Sequence, residues 1–157
     1  MMLSKIRQLE AFAKIGNIAS LNVCLHAPIT TPARQQVEQF IHHRFASHYQ
    51  ANVQHFMPVL LAMQNTEGEI QGAVGLRQAN EPFFLERYLD KAIEQLIVNS
   101  CDLSMSRAQI LKIGNFAAIG AASIPFLIIV LTELLAALNY RWVAFTGTPM
   151  LINSLAV

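Results

Sequence analysis

The sequence predicts an α/β (α+β) domain with a central mixed sheet flanked by helices, and three observations lead there. Residues 20–27 alternate apolar and polar with the two-residue period of a strand. Residues 31–49 carry a helical apolar period behind a Thr-Pro start signal, and residues 108–146 read strand, apolar helix, strand. The last pattern is that of a crossover unit, whose helix lies on a sheet and returns the chain to a parallel neighbour. A single domain over 1–157 is expected, because about 150 residues bury roughly 70% of the extended surface and so build a real core.

Residues 1–19 mix Lys5, Arg7, Glu10 and Lys14 among apolar side chains and lack the unbroken apolar core of a secretory signal. They read as an amphipathic lead-in, and a cytoplasmic bacterial protein is the expectation. In the first strand Leu21, Val23 and Leu25 alternate with Asn22, Cys24 and His26. Thr31 is then a helix N-cap and Pro32 the first helical residue, where its missing N–H is harmless. Ala33, Val37, Phe40, Ile41, Phe45 and Tyr49 form one face of that helix, with Gln35, Glu38, Gln39 and His42 opposite.

Residues 56–63 and 69–76 flank Asn65-Thr66-Glu67-Gly68 and read as a β-hairpin, with Pro58 marking an edge or a later start of pairing. Glu81-Pro82 opens a further helix carrying Phe84, Leu85, Tyr88, Leu89, Ala92, Ile93, Leu96 and Ile97 inward. A loop over 99–106, a strand over 108–113, an apolar helix over 121–138 and a strand over 140–146 follow. Residues 149–157 read as the opening of another helix.

With 54% hydrophobic and 13% charged residues, against about 25% charged in ordinary soluble domains, the chain hides apolar surface, binds a lipid-like ligand or touches membrane. Eleven basic residues against ten acidic, scattered rather than striped, give no cationic face for a phosphate backbone, so nucleic acid is not an expected partner. Cys24 and Cys101 are far apart and read as buried thiols. The five histidines form no HExxH and no i, i+4 pair, so no metal is expected, and no nucleophile elbow points to a covalent hydrolase.

Residues 117–138 contain one ionisable side chain, Glu133, over about 33 Å of helix, enough to cross a bilayer core of about 30 Å. Ser123 as N-cap and Pro125 in the first turn shorten the regular helix to about 22 Å, and Asn139 suits its left-handed end. Lys112 and Arg141 at opposite ends give no positive-inside bias. The expected outcome is a helix buried on the sheet.

Before that helix, residues 114–123 place small side chains between a strand end and a helix start. There, unpaired N–H groups and the positive end of the helix dipole can meet a phosphate. The spacing is neither a P-loop nor GxGxxG, and close helix–sheet packing explains the same residues. Glu86, Asp90 and Glu94 recur every four residues as a carboxylate row, read either as a solvated face or as a base and amine site.

The segments FMPVLL (56–61), GLRQA (75–79), FFLERYLDKAIE (83–94), IGNFA (113–117) and WVAFTGT (142–148), in this order, closely resemble the bacterial thermostable hemolysin family. Arg34, Val37, Glu38, Phe40, Ile41, Phe45 and Tyr49 match its first helix, and the resemblance runs from about residue 22 to the last. That family is similar to GNAT acyltransferases and acyl-homoserine-lactone synthases, which implies a GNAT-like mixed sheet. In such folds the strand before the apolar helix splays from the next, and acyl-CoA or the phosphopantetheine of an acyl carrier protein enters the gap. The resemblance therefore implies donor binding by a turn made of Gly114, Asn115, Phe116, Ala117, Ala118 and Gly120, with Arg77 and Glu86 as catalytic candidates. It also implies a small-molecule acyl donor and N-acyltransferase chemistry.

Two departures from the family pattern stand out. Lys112 occupies a position where an acidic residue is usual, and the sequence stops soon after WVAFTGTPMLINSLAV, implying a fold incomplete at its C-terminal end. Three functional readings follow: an acyltransferase-like protein, a membrane-active hemolysin working through 117–138, and a non-catalytic truncated member. An unfinished sheet edge would let the last of these form a homodimer.

Overall fold

The computed structural model describes residues 22–26, 29–79, 83–101 and 104–146. The lead-in at 1–19, the Glu81-Pro82 start signal and the helix expected at 149–157 lie outside the described residues. The Thr31 hydroxyl accepts the Arg34 N–H at 3.1 Å and Pro32 opens the helix, so α1 runs Pro32–Tyr49 as its start signal predicts. Val37 and Ile41 of its apolar stripe are buried, whereas Ala33 and Tyr49 are exposed.

Five strands of the described chain form one sheet in sequence order: β1 (Asn22–His26), β2 (Val59–Gln64), β3 (Ile70–Gln78), β4 (Ile110–Ala118) and β5 (Trp142–Phe145). The first three pairings are antiparallel and β4–β5 is parallel. The β2–β3 hairpin turns on Asn65, whose Oδ1 accepts the N–H groups of Glu67 and Glu69 at 3.0 and 2.9 Å, and on Gly68 at φ 82°. Pairing of β2 begins at Val59, directly after Pro58, as a residue without an N–H requires.

α1 covers one face, with Val37 and Ile41 against Leu60, Ala62, Ala73 and Ala117. The opposite face is covered by α3 (Gly120–Ala137), whose Leu127, Leu131, Leu134 and Leu135 pack on Leu61, Met63, Val74, Leu76 and Leu111. The apolar helix is thus a wall of the sheet, and its crossover makes β5 parallel to β4. Its outer face keeps Phe126 and Ile129 at 44% and 45% exposure, and by length and composition alone it is also able to cross a membrane.

Several expectations are corrected. β4 does not end at Ile113 but continues to Ala118, pairing Gly72 with Ala118 and Ala73 with Ala117, where small side chains let the strands approach. The helix starts at Gly120, not Ser123: Ile119 donates its N–H to Gln71 O at 2.9 Å, and Gly120 at φ 67° swings the chain straight into α3. Pro125 therefore sits inside the helix and forfeits one i→i−4 bond. Asn139 at φ 63° ends it as expected.

The helix expected after Glu81-Pro82 is broken into a 3-10 turn, Phe84–Tyr88, and α2, Ile93–Cys101, with Leu89 extended between them. Tyr88, placed on the apolar face, is 78% exposed. Cys101, expected to be a buried thiol, is exposed at the last position of α2.

Candidate functional site

Gly114-Asn115 carries turn chemistry, but the strand spends it on a bulge. Gly75 pairs with Gly114 and Ala73 with Ala117, so three steps along β4 face two along β3. Asn115 takes the left-handed conformation, φ 51°, that an extra residue in a bulge requires and that Asn tolerates better than most side chains. The bulge flips the strand's alternation: Leu111 and Ile113 pack toward α3 before it, and Phe116 does so after it.

The chain entering β2 lies over this bulge. Asn115 Oδ1 accepts the Met57 N–H at 2.8 Å and its amide donates to His55 O at 3.3 Å. Met57 O and Pro58 O accept from the Arg34 guanidinium, both at 2.9 Å, while Arg34 Nε meets Glu38 at 2.8 Å. Arg34 is 6% exposed, and α1 holds the segment through it. The Met57 side chain fills the space above two glycines: a Cβ on Gly75 would lie 2.6 Å from Met57 Cβ, and one on Gly114 would lie 2.4 Å from Met57 Cε. Gly114 is therefore a packing glycine on this face. Gly120 differs, with no atom within 4 Å of where its Cβ would stand.

Past Ile113 no further pairing of β4 with β5 is described. Described pairing of β4 with β5 runs from Ile110↔Trp142 to Ile113↔Phe145, yet β4 continues through Phe116, Ala117 and Ala118 before Gly120 opens α3. One side of 114–118 thus has no strand beside it among the described residues. The open N-terminus of α3 stands at the end of that edge.

Glu86 is held from all sides. Its carboxylate accepts the N–H groups of Phe83 and Ile93, joining the 3-10 turn to the start of α2, and receives both Nη groups of Arg107 at 2.8 and 2.7 Å. Arg107 also bridges to Glu94 and donates Nε to Ala79 O. The Arg107 hydrogen bonds hold the Glu86 carboxyl down at about 2, against its partial burial. The carboxylate row is thus neither one helix face nor simply solvated: Glu86 and Glu94 converge on Arg107, and Asp90 stays exposed. A carboxylate so saturated and so acidic positions its neighbours; a general base needs the opposite shift.

Arg77 is exposed on β3 and pairs in register with Lys112 on β4. Lys112 Nζ lies 5.9 Å from the Phe83 ring centroid. Partial burial, and then the Arg77 charge, lower its ammonium pKa below the usual lysine range. Arg77 and Glu86 therefore belong to different clusters. Sequence reasoning missed Arg34, Met57 and Arg107; the one available signal was that Arg34, Val37 and Ile41 share a single helical stripe.

The architecture matches known proteins. The crystal structure of TofI in an apo form superposes with a TM-score of 0.57 at 18% identity, over 86% of this chain and 75% of that one. MesI, a CoA-dependent acyl-homoserine lactone synthase, gives 0.54 at 16% identity over 86% and 75%, and the AHL synthase LasI gives 0.55 at 9% over 88% and 77%. These likenesses show the fold, a GNAT-like mixed sheet of the AHL-synthase kind. No curated protein sequence matches the chain. The family described as Thermostable hemolysin matches residues 27–157, so the chain belongs to the thermostable hemolysin family.

Proposed function

We propose that this protein binds an acyl thioester, acyl-CoA or acyl-carrier-protein phosphopantetheine, in the opening between β4 and β5, and passes the acyl group to an amine or hydroxyl acceptor. The observation that carries this reading is that described β4–β5 pairing stops at Ile113↔Phe145 while β4 runs on to Ala118, so that among the described residues one edge of 114–118 is uncovered and leads to the start of α3. Backbone groups along such an edge suit the amides of a pantetheine arm. The α3 N-terminus, with Gly120 leaving room, suits its phosphate. MesI, which shares the fold, is CoA-dependent.

In the proposed reaction the acceptor attacks the thioester carbon, the C–S bond breaks as a C–N or C–O bond forms, and the thiol leaves with the proton the acceptor gives up. Phe116, Ala117 and Ala118 line the donor, while Gly114 and Asn115 shape the bulge that opens the edge. Glu86 holds Phe83 and Arg107 in place rather than taking the proton. Positioning and backbone N–H groups at the carbonyl supply the rate. Isothermal titration with acetyl-CoA, longer acyl-CoAs and acyl carrier protein tests the binding; folded protein that takes up none of them removes the reading.

The exposed Phe126 and Ile129 on α3 favour a second reading, insertion of α3 into lipid. It predicts dye release from liposomes by the purified protein, and intact liposomes would count against it.

A further inference from the structure

Arg77 and Lys112 are cross-strand neighbours of the same charge. Like charges directly opposite in an antiparallel pair destabilise it. Among the described residues neither joins an ion pair, and Glu86 and Glu94 are both taken by Arg107. The pair stands at the end of β4 away from α3: Gly120 follows Lys112 by eight positions, about 26 Å at roughly 3.3 Å per strand residue. It lies one residue before the last described β4–β5 pair, Ile113↔Phe145, Lys112 being in register with Ala144. Phe83 supplies an apolar wall beside Lys112, and Arg77 remains exposed to an incoming group.

We infer that Arg77 and Lys112 together bind an oxyanion group, carboxylate or phosphate, carried by the acceptor substrate. Two cations on neighbouring strands, neither ion-paired among the described residues, match the two oxygens of such a group, and Arg adds a planar fork of donors. An anion bridging the two opposes the burial and the Arg77 charge that lower the Lys112 pKa. Assigning the anion to the acceptor rests on the proposed acyl transfer, in which the donor's phosphates sit at the far end of β4. The existence of the anion site does not.

The test follows the side-chain signals of Arg77 and Lys112 by NMR in the full chain, at constant ionic strength set with chloride. Inorganic phosphate, glycine and glycinamide are titrated in turn. Phosphate or glycine, or both, should saturate these signals at millimolar concentrations while glycinamide, which lacks the carboxylate, does not. Arg77→Gln and Lys112→Gln should each weaken that binding at least tenfold. Lys112→Glu, which turns repulsion into attraction, should raise Tm by about 1–3 °C and abolish any rise produced by phosphate. No response beyond chloride, or unchanged binding in the glutamine variants, overturns the site. If acetyl-CoA affinity falls in parallel with anion binding in those variants, the anion is the donor's and the acceptor assignment is overturned. If acetyl-CoA fails to bind while the anions still saturate the pair, the site stands and the acyl-donor reading falls.

Discussion

Asn115 Oδ1 accepts the backbone N–H of Met57 at 2.8 Å across 58 positions of sequence. The carbonyl of the same residue is held by Arg34 at 2.9 Å, so one peptide segment locks α1 to the bulge of β4. β4 is thereby held at its bulge by the chain that enters β2.

Asn115 combines a left-handed backbone with a side-chain bond, and two substitutions separate them. Asn115→Gly keeps φ 51° accessible and loses only the bonds to Met57 and His55, an expected loss of about 1 kcal/mol; Asn115→Ala adds backbone strain and should lose about 2–3 kcal/mol. Urea unfolding of both variants measures the difference. Equal losses would mean the conformation contributes nothing.

Gly75 and Gly114 face each other across the sheet beneath Met57. The contact at Gly114 is the mobile Met57 Cε, whereas at Gly75 it includes Met57 Cβ, which cannot move without the backbone, and Asn115 Oδ1 at 2.9 Å. Gly114→Ala should therefore cost under about 1 kcal/mol and be relieved by Met57→Ala, while Gly75→Ala should cost about 2–3 kcal/mol and stay largely unrelieved. Thermal unfolding of the three single variants and the two double variants tests this ordering.

Arg34 is a buried cation whose guanidinium meets Glu38 and the carbonyls of Met57 and Pro58, and Arg34→Leu strands those two carbonyls. A loss of about 2–4 kcal/mol in denaturant unfolding is expected. Arg34→Lys should recover less than half of it, since one ammonium does not span the sites a guanidinium fork reaches.

Glu86 carries a pH signature. Its folded pKa, lowered from 4.5 to about 2, adds stability that is fully present above about pH 4.5 and is lost as pH falls from there toward 2. The stability difference between wild type and Glu86→Gln should thus be largest above pH 5 and shrink steadily to pH 2. A difference independent of pH across that interval contradicts the Arg107 pairing.

Much of this architecture was legible where the signal is local. Thr31-Pro32 marked the start of α1, Asn65 to Gly68 the hairpin, and Asn139 the end of α3, because caps and turns are set by adjacent residues. The errors lie where distant partners decide. Gly-Asn at 114–115 has genuine turn chemistry and Asn115 does take φ 51°, but pairing of Ala117 and Ala118 with β3 converts the turn into a bulge. Glu86 looks like a surface carboxylate until Arg107, 21 positions later, is brought beside it. The burial of Arg34 depends on carbonyls 23 and 24 positions away, which no helical period encodes.

The proposed acyl thioester site lies along the edge of β4 past its last described pair with β5. Backbone amide NMR of the full chain titrated with acetyl-CoA tests it most directly. The account predicts saturable shifts concentrated at Phe116, Ala117, Ala118 and Gly120 on one side and at Ala144 and Phe145 on the other. Shifts confined to other surfaces, or none at saturating acetyl-CoA, would contradict it.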